Sequence, residues 1–83
     1  MEELFEKLEN FYEQSEQIEN ELFNLTGFYF PSPRILYFKV ADNEITPDDF
    51  DKALNLMFEY RRVVRKIYVI NAELEEIEKE LKQ

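Results

Sequence analysis

Residues 46–82 read TPDDFDKALNLMFEYRRVVRKIYVINAELEEIEKELK, and this stretch decides the fold. It opens with Thr46-Pro47 and two aspartates, the pattern of a helix start in which Thr caps, Pro takes the first helical position and acids fill the first turn. Apolar residues then recur at alternating intervals of three and four, the spacing of an a/d helical seam. This long seam consists of Ala53, Leu56, Tyr60, Val63, Ile67, Ile70, Leu74, Ile77 and Leu81. The pattern predicts a long helix over about residues 47–82.

The first 25 residues carry a second seam of the same kind. Its positions are Met1, Leu4, Leu8, Phe11, Ser15, Ile18, Leu22 and Leu25. Most of the remaining positions are Glu, Lys or Gln, which are good helix formers. Gly27 stands just past the last apolar position, where glycine commonly ends a helix. We expect a helix over about residues 2–25 that folds back on the longer one as an antiparallel hairpin.

Residues 27–45 separate the two helices and differ from both in composition. Two aromatic and β-branched runs, residues 28–30 and 35–40, favour strands, and the Pro-Ser-Pro sequence between them cannot be helical throughout. Three structures remain open: a short β-hairpin, a single strand that pairs with the same strand of a second copy, and a short helix that begins at Pro33. The residues predicted to pair as strands or to contact a partner are Phe28, Phe30, Leu36 and Phe38.

The predicted fold class is mainly α: an antiparallel helical hairpin with a short β-strand or β-hairpin connection, assembled as a homo-oligomeric helical bundle or coiled coil. A chain of 83 residues forms at most one domain, here residues 1–83. When such a chain folds alone it buries only about 60% of the surface that its unfolded form exposes, so partners are expected to stabilise it. We expect a dimer or tetramer. Its interface is predicted at Tyr60, Ile67, Ile70, Leu74, Ile77 and Leu81.

The composition removes most catalytic and metal-binding chemistry. The chain has no Cys and no His, so disulfides, thiolate metal sites and the commonest general base are missing. Its single Gly cannot build a glycine-rich phosphate loop, and neither Ser15 nor Ser32 has a base near it in the sequence. Glu pairs at helical spacing, such as Glu13 with Glu16, are interpreted as a solvated helix face. We expect a protein that is not an enzyme and that binds no cofactor and no metal.

The net charge of −9 is distributed unevenly along the chain. Residues 1–25 contain eight Glu against one Lys, whereas four bases lie close together in the long helix. These four, the basic patch, are Arg61, Arg62, Arg65 and Lys66. The favoured interpretation is that the basic patch pairs with Glu9 and Glu13 across the hairpin. An acidic protein partner is the alternative, and nucleic acid is not expected because the acidic chain repels it.

These features predict a non-catalytic protein–protein interaction module: a small self-associating assembly, adaptor or regulatory protein. The alternative is an acidic inhibitor, of viral or mobile-element type, that blocks a basic or nucleic-acid-binding surface of another protein. A nucleic-acid-binding regulator that uses the basic patch is the third possibility. The N-terminus has neither the basic nor the apolar part of a secretion signal, and no apolar run approaches the ~20 residues that span a bilayer. A cytoplasmic protein without membrane contact is therefore expected.

Overall fold

The computed structural model describes residues 2–82, which form three helices. Helix α1 spans Glu2–Thr26, helix α2 spans Pro33–Ala41 and helix α3 spans Pro47–Lys82. The long helices α1 and α3 pack side by side, and α2 lies against the N-terminal part of α3. The molecule is a rod of 58 × 19 × 15 Å. None of these helices is long and apolar enough to cross a membrane.

The two seams face each other and supply the core between α1 and α3. Ile18 and Leu22 of α1 pack with Val63 and Ile67 of α3, and all four are buried. The buried Ser15 donates its hydroxyl hydrogen bond to the carbonyl of Tyr12 at 2.8 Å, so the polar position on the first seam is satisfied within its own helix. The heptad patterns therefore predicted the buried face of both long helices.

Contacts across the pair show that α1 and α3 run in opposite directions. Glu19 reaches Tyr60, whereas the earlier residue Phe11 lies under the later residue Lys66. The reversal begins at Gly27, whose φ of 82° lies in the left-handed region that favours glycine. The Gly27 amide donates to the carbonyl of Phe23 at 2.8 Å and closes the end of α1.

The predicted β-strand or β-hairpin in residues 27–45 is wrong. The described part of the chain contains no strand, and Pro33–Ala41 forms α2, the third of the structures left open by the sequence. The local reason is a helix start: Ser32 accepts a hydrogen bond from the amide of Ile35 at 3.2 Å, and proline occupies the first turn. The tertiary reason is Leu36, which is fully buried in the core. Its burial outweighs the strand propensity of its neighbours. The homo-oligomeric part of the predicted fold class stays a prediction.

Candidate interaction surfaces

The predicted oligomer interface is divided by the position of α1. Tyr60 is half-buried against α1, and Ile67 and Ile70 are buried inside the chain. The first turn of α1 ends this cover, because Leu4 borders the same depression as Ile70. Beyond this turn the long seam is more exposed: Leu74 and Ile77 are half-buried, and Leu81 is 74% exposed. We call the last three residues of the long seam the seam end: Leu74, Ile77 and Leu81.

A hydrogen bond between Tyr60 and Glu19 ties the two long helices together. The Tyr60 hydroxyl donates to Oε1 of Glu19 at 3.0 Å. Burial, followed by the hydrogen bond and the negative charge of Glu19, raises the pKa of Tyr60 above its usual value. The phenol therefore stays protonated and remains a donor at neutral pH. The bond joins the two helices at one register of α3 against α1.

An apolar groove of about 470 Å³ lies between α3 and the segment that leads into α2. Its apolar floor contains Leu22, Leu54 and Met57. Phe30 and Phe58 stand at its sides and are 66% and 61% exposed. The Phe30 ring meets the Tyr60 ring edge-on, with centroids 5.7 Å apart, which holds the segment before α2 against the hairpin. The groove is thus a largely apolar surface framed by exposed aromatic rings.

The basic patch does not pair with α1 as the sequence analysis expected. Within residues 2–82, no ion pair closer than 4.0 Å joins it to Glu9, to Glu13 or to any other acid. Its members are exposed. Arg61 borders the apolar groove. Arg65 and Lys66 border a second, open depression beside α1, where the Lys66 ammonium lies 5.3 Å from the centre of the Phe11 ring. The guanidinium groups are therefore available to another molecule.

The four residues predicted for strand pairing have different environments in the structure. Leu36 is in the core and has no accessible surface. Phe28 is 41% exposed, and its ring lies 5.0 Å from the Lys39 ammonium. Phe30 and Phe38 are more than half exposed. Three of the four remain accessible, as side chains of a helix and its approach segment.

A further surface, not predicted from the sequence, lies on the side of α3 away from the long seam, and one edge of it borders the depression beside α1. Tyr68 and Val69 are 74% and 57% exposed there. The sequence does contain a pattern that could have predicted this surface. From Phe58, steps of three or four residues lead to Tyr68 and Val69 on a side of the helix different from that of the long seam. We call this surface the outer face of α3: Phe58, Arg61, Arg65, Tyr68, Val69, Ala72, Glu75 and Glu76, all exposed.

Neither metal geometry nor similarity assigns a function to these surfaces. Among residues 2–82, no three or more acidic side chains are grouped so that they could hold a metal ion. No family model matches the chain, and no curated protein and no solved structure shows significant similarity to it.

Proposed function

We propose that this chain is a non-catalytic protein–protein interaction module of the cytoplasm, a small assembly, adaptor or regulatory protein whose first partner is a second copy of itself. The observation that carries the proposal is its accessible surface of 6534 Å². A compact monomer of 10.2 kDa exposes about 5,300 Å² by the usual scaling of surface with mass. The chain thus leaves an excess of about 1,200 Å², more than the ~800 Å² that each partner buries in a standard interface.

The excess follows from the way the helices pack. The radius of gyration is 16.9 Å, against about 12 Å for a compact domain of this length. Two long helices side by side bury one seam each and leave their other faces in water. The core of this chain is therefore a single strip of side chains, and a second copy supplies a further layer without any change of fold.

The exposed surface is apolar and aromatic to a degree that supports an interface. Within residues 2–82, thirteen large apolar or aromatic side chains are at least 38% exposed. Aromatic residues and Arg are enriched at the centres of protein interfaces, and both lie together around the apolar groove and on the outer face of α3. The seam end adds three aliphatic residues, and full burial of each such side chain contributes about 1.5–3 kcal/mol.

The test is the mass of the chain in solution. Gel filtration coupled to light scattering across the micromolar range is expected to give a dimer or tetramer of the 10.2 kDa chain. Self-association should persist in high salt, since burial of apolar surface drives it. A mass of one chain at every concentration, with full helicity by circular dichroism, would contradict the proposal.

The acidic inhibitor is the second candidate, and the surface of α1 favours it. Within residues 2–82, no α1 carboxylate takes part in an ion pair, and all but that of Glu19 are exposed. A surface of this kind attracts a basic partner such as a nucleic-acid-binding protein. Titration of the chain with such a protein at low and high salt separates the two functions, since binding to α1 must weaken steeply as salt rises. Retardation of a labelled duplex at physiological salt would instead favour the nucleic-acid-binding regulator.

A further inference from the structure

We propose that the second copy packs antiparallel along the outer face of α3, about a two-fold axis that passes between Tyr68 and Val69. The inference rests on the proposed self-association and names the surface that carries it. The outer face is a single stripe, because each member lies three or four residues from another member, the spacing that brings helical side chains to one side. Tyr68 and Ala72 are exposed on the side of α3 away from the long seam, so a second helix can reach them without displacing α1. One edge of the face, at Arg65 and Val69, borders the depression beside α1.

The charges on this face are arranged in two blocks. Arg61 and Arg65 precede the apolar pair Tyr68-Val69, and the acids Glu75 and Glu76 follow it. Lys79, at the end of the face, lies 4.0 Å from Glu76 and offsets part of this acidic block. In a parallel pair of helices each block would meet its own copy, and like charges would repel. In an antiparallel pair the basic block of each chain lies alongside the acidic block of the other, with Arg61 opposite Glu76 and Arg65 about one turn from Glu75. The charge pattern therefore selects the antiparallel orientation.

The register follows from the spacing of the two blocks. Arg61 lies about 11 Å before the proposed axis at ~1.5 Å per residue, and Glu76 lies the same distance after it. A two-fold rotation consequently places Arg61 opposite the partner's Glu76, and the partner's Arg61 opposite Glu76. Each contact occurs twice, as an isologous interface requires.

The centre of the proposed interface is apolar, where burial contributes most. At the axis, Tyr68 of each chain lies opposite Val69 of the other. Ala72, one turn further on, has a small side chain that lets the helices approach closely. Contact from Phe58 to Lys79 covers about 33 Å of helix. The ends of this contact reach the apolar groove, whose side is formed by Phe58.

Charge reversal tests this arrangement, because two reversed variants should associate again when mixed, which unfolded variants would not do. One variant, Arg61→Glu with Arg65→Glu, makes both blocks acidic; the other, Glu75→Arg with Glu76→Arg, makes both basic. Each alone should weaken self-association on the order of tenfold or more, because every contact now opposes like charges. An equimolar mixture should form a mixed dimer, in which all the contacts are again complementary. Light scattering gives the masses, and circular dichroism verifies helicity.

A matched control separates local pairing from net charge. Glu13→Arg with Glu16→Arg changes the net charge by the same amount as the basic variant, but on exposed positions of α1. This control should associate as the unaltered chain does. Loss of association in the control, or failure of the two charge-reversed variants to recover it on mixing, would overturn the antiparallel pairing.

Disulfide trapping provides a second measurement, because the chain contains no cysteine. Val69→Cys places one thiol beside the proposed axis, within reach of its copy, since a disulfide joins Cα atoms about 4.4–6.8 Å apart. Mild oxidation should convert this variant to a covalent dimer. Asn20→Cys, at an exposed position of α1, should remain largely monomeric on a denaturing gel.

The outcomes distinguish this inference from the proposed function. An unaltered chain that is oligomeric, with no trapping at Val69→Cys and no response to charge reversal, overturns the outer face as the interface and leaves self-association intact. The seam end, which faces the opposite side of α3, would then carry it. An unaltered chain that is monomeric throughout overturns both.

Discussion

The attachment of α2 to the hairpin depends on Leu36, and Leu36→Ala measures it. Leu36 has no accessible surface, so truncation removes about three methylene equivalents from the core, or ~2.4 kcal/mol of transfer free energy. The cavity left behind raises the usual cost of such a change to about 2–5 kcal/mol. A chain of 83 residues has a total free energy of unfolding of about 4–12 kcal/mol. The variant is therefore expected to lose a substantial part of its stability.

The short length of α2 sets an upper limit on this cost. A helix of nine residues is not stable alone in water, so α2 unfolds once its contacts with the other helices no longer stabilise it. Leu36 belongs to the same buried cluster as Ile18 and Val63, but α1 and α3 also pack directly against each other. We therefore expect Leu36→Ala to lose first the helical signal of residues 33–41 and only then the rest, with the loss in free energy limited to the docking energy of α2.

Urea denaturation followed by circular dichroism gives the free energy of unfolding of the whole chain. Hydrogen exchange of the α2 amides gives the free energy of local unfolding of α2. The amides of Leu36 and Asp42, which donate to the carbonyls of Ser32 and Phe38, are the probes at the two ends of α2. Phe38→Ala is the matched control, because it removes a larger side chain from the same helix at a position that is 60% exposed. We expect it to cost less than about 1 kcal/mol. Equal losses for the two variants would refute the view that Leu36 anchors α2.

Three further predictions follow from the same structure. Ile67→Asp should abolish the folded hairpin, because it buries an unpaired charge in the core; a cooperative thermal transition at the unaltered temperature would contradict this. Tyr60→Phe should cost about 1 kcal/mol in urea denaturation at pH 7, since the bond from the hydroxyl to Glu19 is lost. The folded-state pKa of Tyr60 is raised, so its contribution is present below the unfolded value near 10 and is lost as pH rises above it. The stability of the unaltered chain should thus fall more steeply above pH 10 than that of Tyr60→Phe. Arg62→Gln with Lys66→Gln should change the free energy of unfolding by less than about 1 kcal/mol, because no ion pair is lost; a larger loss would reveal a structural role.

The long helices were predictable from the sequence because their seams are periodic over many turns. A three-four alternation repeated from Ala53 to Leu81 predicts one helix with an apolar face, and α1 buries that face as far as Ile70. The helix-start signal at Thr46-Pro47 is realised as the sequence suggests, with the Asp49 amide donating to the Thr46 hydroxyl at 3.1 Å. Antiparallel packing was the simpler expectation for two successive helices, although the 20 residues between them are long enough to permit a parallel return.

The segment between the helices was mispredicted because residue propensity was weighed above local start signals. Ser32-Pro33 repeats the cap-then-proline pattern of Thr46-Pro47, and it does begin a helix. The strand-favouring residues 35–40 are tolerated in this helix because Leu36 is held in the core, a tertiary effect that a pattern of aromatic residues does not contain. The hydrogen bond between Glu19 and Tyr60 was likewise beyond sequence reasoning, since it depends on the register of α1 against α3.

The distribution of charge is compatible with the proposed self-association, although the chain has a net charge of −9. Two copies that met through α1 would bring eight Glu against eight, with one Lys on each side to offset them. The outer face of α3 lies on the other side of the hairpin, where Arg61 and Arg65 balance Glu75 and Glu76 within one stripe. Pairing there keeps the two acidic helices on the outside of the dimer and far apart, so their repulsion is screened by water and salt. The same pairing leaves the acidic surfaces of both α1 helices free. An assembly of this kind would present two copies of one negative surface to a basic partner, and the self-association and acidic-inhibitor functions would then be compatible in one molecule.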